Sequence, residues 1–323
     1  EVYAVKEYLP EEFARRDRRG TVTSQRGHEE PYARGLRAFL TEANILKDLP
    51  RREGLVRVRG AFEKFGTAYC IMEFIEGDSL DRLASRMIAR IGHVPQDLLK
   101  DLAVSILQAL DALHRETIIH RDVKPANVMI RRSGAPVLID FGAARRLSRY
   151  GEHETIFTRR YAAVEQFPSE LLGFGRNFDE GPWSDLYSLA VVLYELIAHE
   201  PPPDAQVRAS AKLAGRSDPY IPLADQIAGT ARADLYDDDM LSMIDHGCRL
   251  MPQDRIRSAR DFAERLRPGS WTLPTSDASP VLAVEDGANN GRRARALVLA
   301  LIVAATTIGL FLISDARFRG EVF

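Results

Sequence analysis

Four polar side chains between positions 122 and 140 have the types that phosphoryl transfer requires. They are Asp122, Lys124, Asn127 and Asp140. Such a reaction needs a carboxylate beside the attacking hydroxyl, a cation on the transferred group and oxygen ligands for a divalent metal on the phosphates. Carboxylate and amide oxygens suit Mg²⁺, which prefers hard ligands. Together these side chains predict a site that transfers a phosphoryl group.

The segment around these residues follows a known motif. It runs His120-Arg121-Asp122-Val123-Lys124-Pro125-Ala126-Asn127, and Asp140-Phe141-Gly142 follows after an apolar run. These residues resemble H-R-D-L-x-x-x-N and D-F-G of the eukaryotic-like protein kinases, with Val123 in the place of leucine. A chance run of surface charges would rarely put so many specified residues at fixed spacing. The resemblance implies a serine/threonine protein kinase, and residues 6–10, 165–167 and 181–185 resemble the bacterial membrane-bound branch of that family.

The resemblance implies a role for each residue of the motif. Asp122 is expected to orient the substrate hydroxyl and accept its proton, while Lys124 steadies the γ-phosphate of ATP. Asn127 and Asp140 are expected to hold Mg²⁺, with Mn²⁺ as an alternative metal. Arg121 is expected to pair with a phosphate on the activation segment, which would order that segment.

The first strand carries a lysine in a second pattern of this family. Tyr3-Ala4-Val5-Lys6 is similar to V-A-I-K, so Lys6 would hold the α- and β-phosphates of ATP, with Glu42 on a helix as its partner. Without the other motifs, Lys6 and Glu42 would each be interpreted as a solvated surface charge. The Gly-rich loop that covers the phosphates in this family would precede Lys6, and the chain begins only a few residues before it.

Residues 71–75 resemble the hinge between the two kinase lobes. Met72 would lie behind the adenine, and backbone groups of Glu73 and Ile75 would bond the base. Asp78 is a candidate contact to the ribose. A plain core strand would satisfy the same sequence, because backbone contacts to a base need no particular side chain.

The residues after the D-F-G motif resemble an activation segment. Ser148, Tyr150, Thr155 and Thr158 are candidate phosphorylation sites, and Thr155 is preferred among them. Thr158 also matches the threonine that contacts the catalytic aspartate in serine/threonine kinases. Together with Lys124, it predicts Ser or Thr as the phosphate acceptor.

Glu165 closes the activation segment where the family has A-P-E, although Ala163 stands at the proline position. It is expected to pair with Arg255 in a structural role, and loss of one partner of such a buried pair destabilises by roughly 3–5 kcal/mol. Asp185 is expected to cap a buried helix and to hold the backbone of the catalytic loop.

Composition and charge exclude several classes of protein. The 323 residues include 44 basic and 46 acidic side chains, and a net charge of −2 gives no general reason to bind nucleic acid. A hydrophobic fraction of 45% excludes wholesale disorder. The two cysteines, Cys70 and Cys248, are far apart, which excludes a disulfide scaffold and a cysteine zinc site.

The order of apolar patterns predicts an α+β class, because strand-like segments come first and helical ones later. Strands are predicted at 2–8, 56–62 and 67–74, a loop at 14–30, and helices at 31–49, 96–114 and 185–198. Combined with the resemblance, this order implies a two-lobed protein-kinase-like fold. Its small β lobe is expected to be incomplete, and its larger lobe to be helical.

The C-terminal part of the chain is more apolar than the rest, since residues 296–313 carry no charged side chain. A membrane span needs ~20 apolar residues, with a lower limit of about 17. The predicted organisation is a kinase domain at 1–267, a flexible linker at 268–293, a transmembrane helix at 294–314 and a short extracytoplasmic tail at 315–323. Arginines before the span favour a cytoplasmic kinase domain on a single-pass protein of the cell membrane. A buried C-terminal helix is the alternative.

These features predict an enzyme that phosphorylates Ser and Thr of protein substrates with ATP, phosphorylates itself and signals at the membrane. A homodimer would allow trans-autophosphorylation, and nucleic acid is not expected as a partner. One alternative is an inactive pseudokinase scaffold, which a missing Gly-rich loop would favour. Another is a small-molecule phosphotransferase of the aminoglycoside-kinase kind, which would lack Arg121, Lys124 and the Glu165 segment.

Overall fold

The structure of the chain is a computed structural model. It describes residues 1–49, 52–141, 144–146, 158–168, 172, 178–271 and 310–314. These residues divide into two units. The described part of unit 1 comprises 1–49, 56–76 and 310–314, and that of unit 2 comprises 52–55, 77–141, 144–146, 158–168, 172 and 178–271.

Unit 1 is built on an antiparallel sheet with one long helix. Its elements are β1 (Val2–Glu7), β2 (Ala14–Arg16), β3 (Val22–Ser24), α1 (Glu29–Lys47), β4 (Val58–Lys64), β5 (Thr67–Glu73) and, from the far end of the chain, β11 (Leu310–Ser314). The sheet order is β11-β1-β5-β4. In β5 the side chains of Ala68, Cys70 and Met72 are buried at every second position, the alternation expected of a strand with one covered face. The predicted strands and helix of this unit are confirmed to within a few residues at each end.

A short hairpin replaces the loop predicted at 14–30. Strands β2 and β3 pair antiparallel, with Ala14 opposite Ser24. Ala14 and Val22 are buried together with Tyr32 of α1, so the hairpin has a small core of its own. The arginines of this segment hide the alternation in the sequence, because only one residue of each strand points inward.

Residues 310–314 form a strand where the sequence predicts the last part of a transmembrane helix. The strand β11 pairs antiparallel with β1, with Val2 opposite Ser314 and Lys6 opposite Leu310. It pairs with the edge of β1 opposite to β5. The rest of the predicted span, 294–309, lies outside the described residues. Among the described residues, no helix has the length and apolarity to cross a membrane.

Unit 2 is mainly helical. Its elements are β6 (Gly77–Ser79), α2 (Leu80–Ile91), α3 (Gln96–Arg115), β7 (Ile118–Ile119), β8 (Val128–Arg131), β9 (Pro136–Leu138), β10 (Arg145–Arg146), α4 (Pro182–Ala198), α5 (Ala205–Leu213), α6 (Leu223–Ile227), α7 (Asp238–Gly247) and α8 (Ala259–Leu266). Two small sheets join β6-β8-β9 and β10-β7. The helix α2 was not predicted, because arginines interrupt its apolar pattern.

The helix α4 forms the centre of unit 2. It contacts α3, α6 and α7, and nearly all of its side chains are buried, as its continuous apolar sequence predicts. The helix begins at Pro182, three residues before the predicted start, because proline is well suited to a first helical position. This buried helix provides a rigid support for the loop that follows β7.

Candidate active site

The loop after β7 is held by one buried carboxylate, that of Asp185 on α4. Its Oδ2 accepts a hydrogen bond from the backbone N–H of His120 at 2.9 Å and lies 2.8 Å from Nε2 of His114. Its Oδ1 accepts from the backbone N–H of Arg121 at 2.8 Å. Burial alone would raise the pKa of Asp185, but the hydrogen bonds and the nearby histidines lower it below its ordinary value. The loop is therefore anchored to α4 by a carboxylate that remains ionised.

The backbone at Arg121 lies in the left-handed region, with φ of 68°. For a residue other than glycine this conformation costs of order 1–3 kcal/mol and persists only where surrounding contacts hold it. Here the N–H of Arg121 is held by Asp185, and its carbonyl accepts from Nε2 of Gln166 at 2.8 Å. The turn that delivers the next residue, Asp122, is thus fixed from two sides.

Asp122 lies at the centre of a hydrogen-bonded group with Lys124, Asn127 and Thr158. Its Oδ2 accepts from Nζ of Lys124 at 2.7 Å and from Nδ2 of Asn127 at 2.9 Å. Its Oδ1 accepts from the backbone N–H of Thr158 at 3.2 Å. The same Nζ of Lys124 donates to Oγ1 of Thr158 at 2.7 Å. These contacts fix one carboxylate and one cation side by side.

Asn127 and Asp140 are the residues expected to hold a metal. The N–H of Ile139 donates to the carbonyl of Asn127 at 2.9 Å, which brings the residue before Asp140 against the catalytic loop. Both hydrogen bonds from the amide nitrogen of Asn127 go to Asp122, so the amide oxygen is the atom suited to a metal. No cluster of three or more His, Cys, Asp or Glu side chains forms a metal cage in the described part of the chain. Two oxygen ligands fit Mg²⁺, which keeps waters and substrate phosphates as its other ligands.

The side chain of Arg121 contacts a carboxylate that the sequence did not single out. Its Nε lies 2.7 Å from Oε2 of Glu180, and its Nη2 donates to Oε1 at 3.2 Å. The sequence predicted a phosphate on the activation segment as the partner of Arg121. In this structure the partner is a glutamate just before α4.

Glu165 and Arg255 form the predicted ion pair. Nη1 and Nη2 of Arg255 donate to Oε1 and Oε2 of Glu165 at 2.7 and 3.0 Å. Both side chains are buried, and Oγ of Ser184 donates a further bond to Glu165 at 2.7 Å. The guanidinium also lies 4.5 Å from the ring of Tyr187. The pair therefore ties the end of the activation segment to α4 and to the segment before α8.

Within unit 1, Lys6 is buried in β1, with its Nζ 5.7 Å from the ring centroid of Phe39. Phe39 lies one helical turn before Glu42 on α1, so Lys6 approaches the helix that carries its expected partner. Met72 is buried at the end of β5. The N–H of Glu73 donates to the carbonyl of Arg57 at 2.9 Å, so a contact of this residue to adenine would fall to its carbonyl.

Ile75, the other hinge residue, is buried in unit 1. Asp78, the candidate ribose contact, belongs to unit 2, where its Oδ2 lies 2.7 Å from Nη2 of Arg86. Thr155, with Ser148 and Tyr150, lies outside the described residues. The nucleotide roles of these side chains remain predictions.

A cavity of about 280 Å³ lies beside the catalytic loop and was not anticipated from the sequence. Its lining includes Lys124, Tyr161 and two carboxylates, Asp81 on α2 and Glu195 on α4. The Tyr161 hydroxyl donates to Oε2 of Glu195 at 2.6 Å, and burial raises the pKa of that hydroxyl, as does the bond to Glu195. Neither carboxylate belongs to a motif, so only the fold could reveal that they meet here.

Comparison with known proteins agrees with this geometry. The chain matches the protein kinase domain family over residues 21–265. It is 28% identical to "Serine/threonine-protein kinase PknA" of Nostoc sp. over 246 residues, which cover 73% of this chain and 39% of the relative. It is 35% identical to "Serine/threonine-protein kinase PknB" of Mycolicibacterium smegmatis over 139 residues, which cover 42% of this chain and 20% of the relative.

A solved structure described as "PpkA-294 apo form" has a TM-score of 0.67 and 30% identity, covering 82% of this chain and 86% of that one. The chain spans well under half the length of the two curated relatives. The family match, by contrast, covers most of the chain and includes the catalytic loop and the Glu165–Arg255 pair. This chain belongs to the protein kinase family, and its relatives include bacterial serine/threonine kinases.

Proposed function

We propose that this chain is a serine/threonine protein kinase that transfers the γ-phosphate of ATP to Ser or Thr hydroxyls of proteins. The observation that carries the proposal is the position of Lys124, whose Nζ lies 2.7 Å from both Oδ2 of Asp122 and Oγ1 of Thr158. A carboxylate and a cation held together in this way match the two charges that phosphoryl transfer needs.

The hydrogen bonds of Asp122 support its role as the group that receives the proton. Lys124 and Asn127 hold one of its oxygens, and Thr158 holds the other. A substrate hydroxyl beside this carboxylate would lose its proton to it as the oxygen bonds to the γ-phosphorus and the bond to ADP breaks. Lys124 would balance the charge on the transferred group. Most of the acceleration would come from this positioning and charge balance.

ATP and Mg²⁺ are the ligands that the donor set supports. Mg²⁺, when bound by Asn127 and Asp140, would supply charge neutralisation on the phosphates. Lys6 is the residue of unit 1 that we assign to the α- and β-phosphates. It is only 5% exposed, which excludes a solvated surface lysine.

The test is phosphate transfer by the protein expressed from its complete gene. Mg-ATP and a generic basic protein are supplied, and mass spectrometry locates the phosphate. Asp122→Asn should lower the rate at least ~10²-fold, the usual contribution of a general base. Asp234→Asn, which removes an exposed carboxylate elsewhere in unit 2, should leave the rate unchanged.

The same experiment separates the enzyme from a pseudokinase scaffold. Phosphate on Ser or Thr that disappears in Asp122→Asn would establish the kinase, and phosphate on the protein itself would establish autophosphorylation. Absence of transfer, together with absence of ATP binding, would support the scaffold. A rate of self-labelling that rises with protein concentration would indicate that one molecule phosphorylates another.

We also propose a membrane anchor at the C-terminal end, because residues 296–313 are uncharged and follow a cluster of arginines. The described strand at 310–314 is the competing arrangement. Carbonate extraction of membranes from cells that make the protein distinguishes the two. Retention in the pellet supports the anchor, and release into the supernatant supports a segment folded against β1.

A further inference from the structure

Arg121 has an anionic partner within unit 2. The Nε–Oε2 distance to Glu180 is 2.7 Å, and Nη2 donates to Oε1 at 3.2 Å, so both carboxylate oxygens face the guanidinium. The side chains are only 8% and 13% exposed. A charge pair this well shielded from water is screened little by salt and holds its geometry better than a surface pair.

Glu180 occupies a position from which it acts directly on the catalytic loop. It precedes Gly181, the residue before α4, and α4 also carries Asp185. Arg121 is consequently held at three points, with its N–H on Asp185, its carbonyl on Gln166 and its side chain on Glu180. The next residue is the proposed catalytic Asp122, so the position of Arg121 sets that of Asp122.

We infer that the Glu180 carboxylate takes the place of an activating phosphate, so that the catalytic loop is positioned in the unphosphorylated protein. The inference rests on the proposed kinase function. The resemblance to protein kinases implies that Arg121 pairs with a phosphate on the activation segment once that segment is phosphorylated. A phosphate arriving here would have to displace Glu180 or place a second anion at the same guanidinium. Glu180 is thus a positioning residue that makes basal activity independent of phosphorylation.

The first test needs no variant. The protein, purified with and without prior phosphatase treatment, is assayed for initial phosphate transfer to a peptide, and mass spectrometry verifies the removal of phosphate. We expect kcat of the phosphatase-treated protein to lie within about twofold of the untreated value. The positioning charge is a carboxylate, which phosphatase cannot remove. A loss of activity that returns on rephosphorylation would overturn it.

The second test removes the carboxylate while keeping its shape. Glu180→Gln should lower kcat by about 10²-fold with little change in KM for ATP, because misplacement of a catalytic group acts on the chemical step. Asp179→Asn is the matched control, since it removes an exposed carboxylate from the preceding residue. Glu180→Asp should recover part of kcat. Equal kcat for Glu180→Gln and Asp179→Asn would refute the role of Glu180.

A double variant separates positioning from general stability. If Glu180 acts only through Arg121, then Glu180→Gln in an Arg121→Gln background should cause no further loss of kcat. Additive losses would contradict the inference. An untreated protein without any activity would refute the proposed kinase function itself. An active protein that stops after phosphatase treatment would refute only the role of Glu180.

Discussion

Arg255 forms a bidentate ion pair with Glu165, in which Nη1 and Nη2 donate to the two carboxylate oxygens at 2.7 and 3.0 Å. The side chains are 1% and 0% exposed. The residues are far apart in sequence, so the pair closes a long loop of chain within unit 2. A bidentate pair of this kind fixes orientation as well as distance.

Removal of one partner of this pair should destabilise the protein strongly. Arg255→Met leaves the Glu165 carboxylate buried with its main countercharge gone, and the free energy of unfolding should fall by about 3–5 kcal/mol. Denaturant unfolding followed by circular dichroism measures the change. Arg260→Met, at an exposed position of α8, is the control and should change little. Similar losses in the two variants would show that the pair contributes nothing special.

The hydroxyl of Thr158 should matter for the rate rather than for stability. Thr158→Val keeps the shape but removes the acceptor of the Lys124 bond, which leaves Lys124 and Asp122 less well placed. We expect kcat to fall by about 10- to 100-fold, in line with small misplacements at catalytic sites. Thr158→Ser keeps an oxygen and should retain most of the activity. Steady-state kinetics on a peptide substrate measures the change. An unchanged kcat in Thr158→Val would contradict the role of the Thr158 hydroxyl in placing Lys124 and Asp122.

The cavity with Asp81 and Glu195 should favour substrates with a basic residue near the acceptor. Two carboxylates beside Lys124 make it complementary to Arg or Lys. Glu195→Gln should raise KM for an arginine-containing peptide by about fivefold, the scale of a partly exposed ion pair of ~1 kcal/mol. The matched peptide with alanine at the basic position should show no change. Equal effects on both peptides would mean that Glu195 serves only to hold Tyr161.

Stability should fall in mildly acid solution, largely through His120. Burial lowers the pKa of His120 below its ordinary 6.5, although the nearby carboxylates, Asp185 first among them, act in the opposite direction. Below about pH 6.5 the unfolded chain binds a proton that the folded protein excludes. The free energy of unfolding therefore falls by up to ~1.4 kcal/mol per pH unit.

The pH effect is checked by urea unfolding between about pH 7.5 and 5.5. His120→Gln should flatten the dependence on pH. The pKa values of His199 and His246 are also lowered by burial, so some dependence should remain. A slope that is unchanged in His120→Gln would show that His120 titrates freely.

The catalytic loop could be found from the sequence because its residues are consecutive or nearly so. Asp122, Lys124 and Asn127 lie close together in the sequence, between positions 122 and 127, so their spacing alone predicts the motif. The burial of α4 was equally clear from the sequence, since a helix that is apolar on all sides is expected to lie inside the core.

The partners of these residues were harder to predict because they depend on tertiary contacts. Glu180 belongs to no motif, and nothing in its neighbours distinguishes it from a solvated glutamate. Gln166 likewise reaches Arg121 only after the chain has folded back. The hairpin β2–β3 was missed for a local reason, since exposed arginines conceal its two buried positions, Ala14 and Val22.

The packing of α8 against α3 has a consequence for how the chain is made. Phe262 of α8 and Leu99 and Leu107 of α3 are fully buried. The helix α3 therefore shares part of the core of unit 2 with α8, the last helix among the described residues. Since domains generally fold as units during synthesis, the α3–α8 contact forms only after residue 266 has left the ribosome. Until then the part of α3 that α8 covers stays exposed, and a chain cut before Ala259 would keep that part exposed.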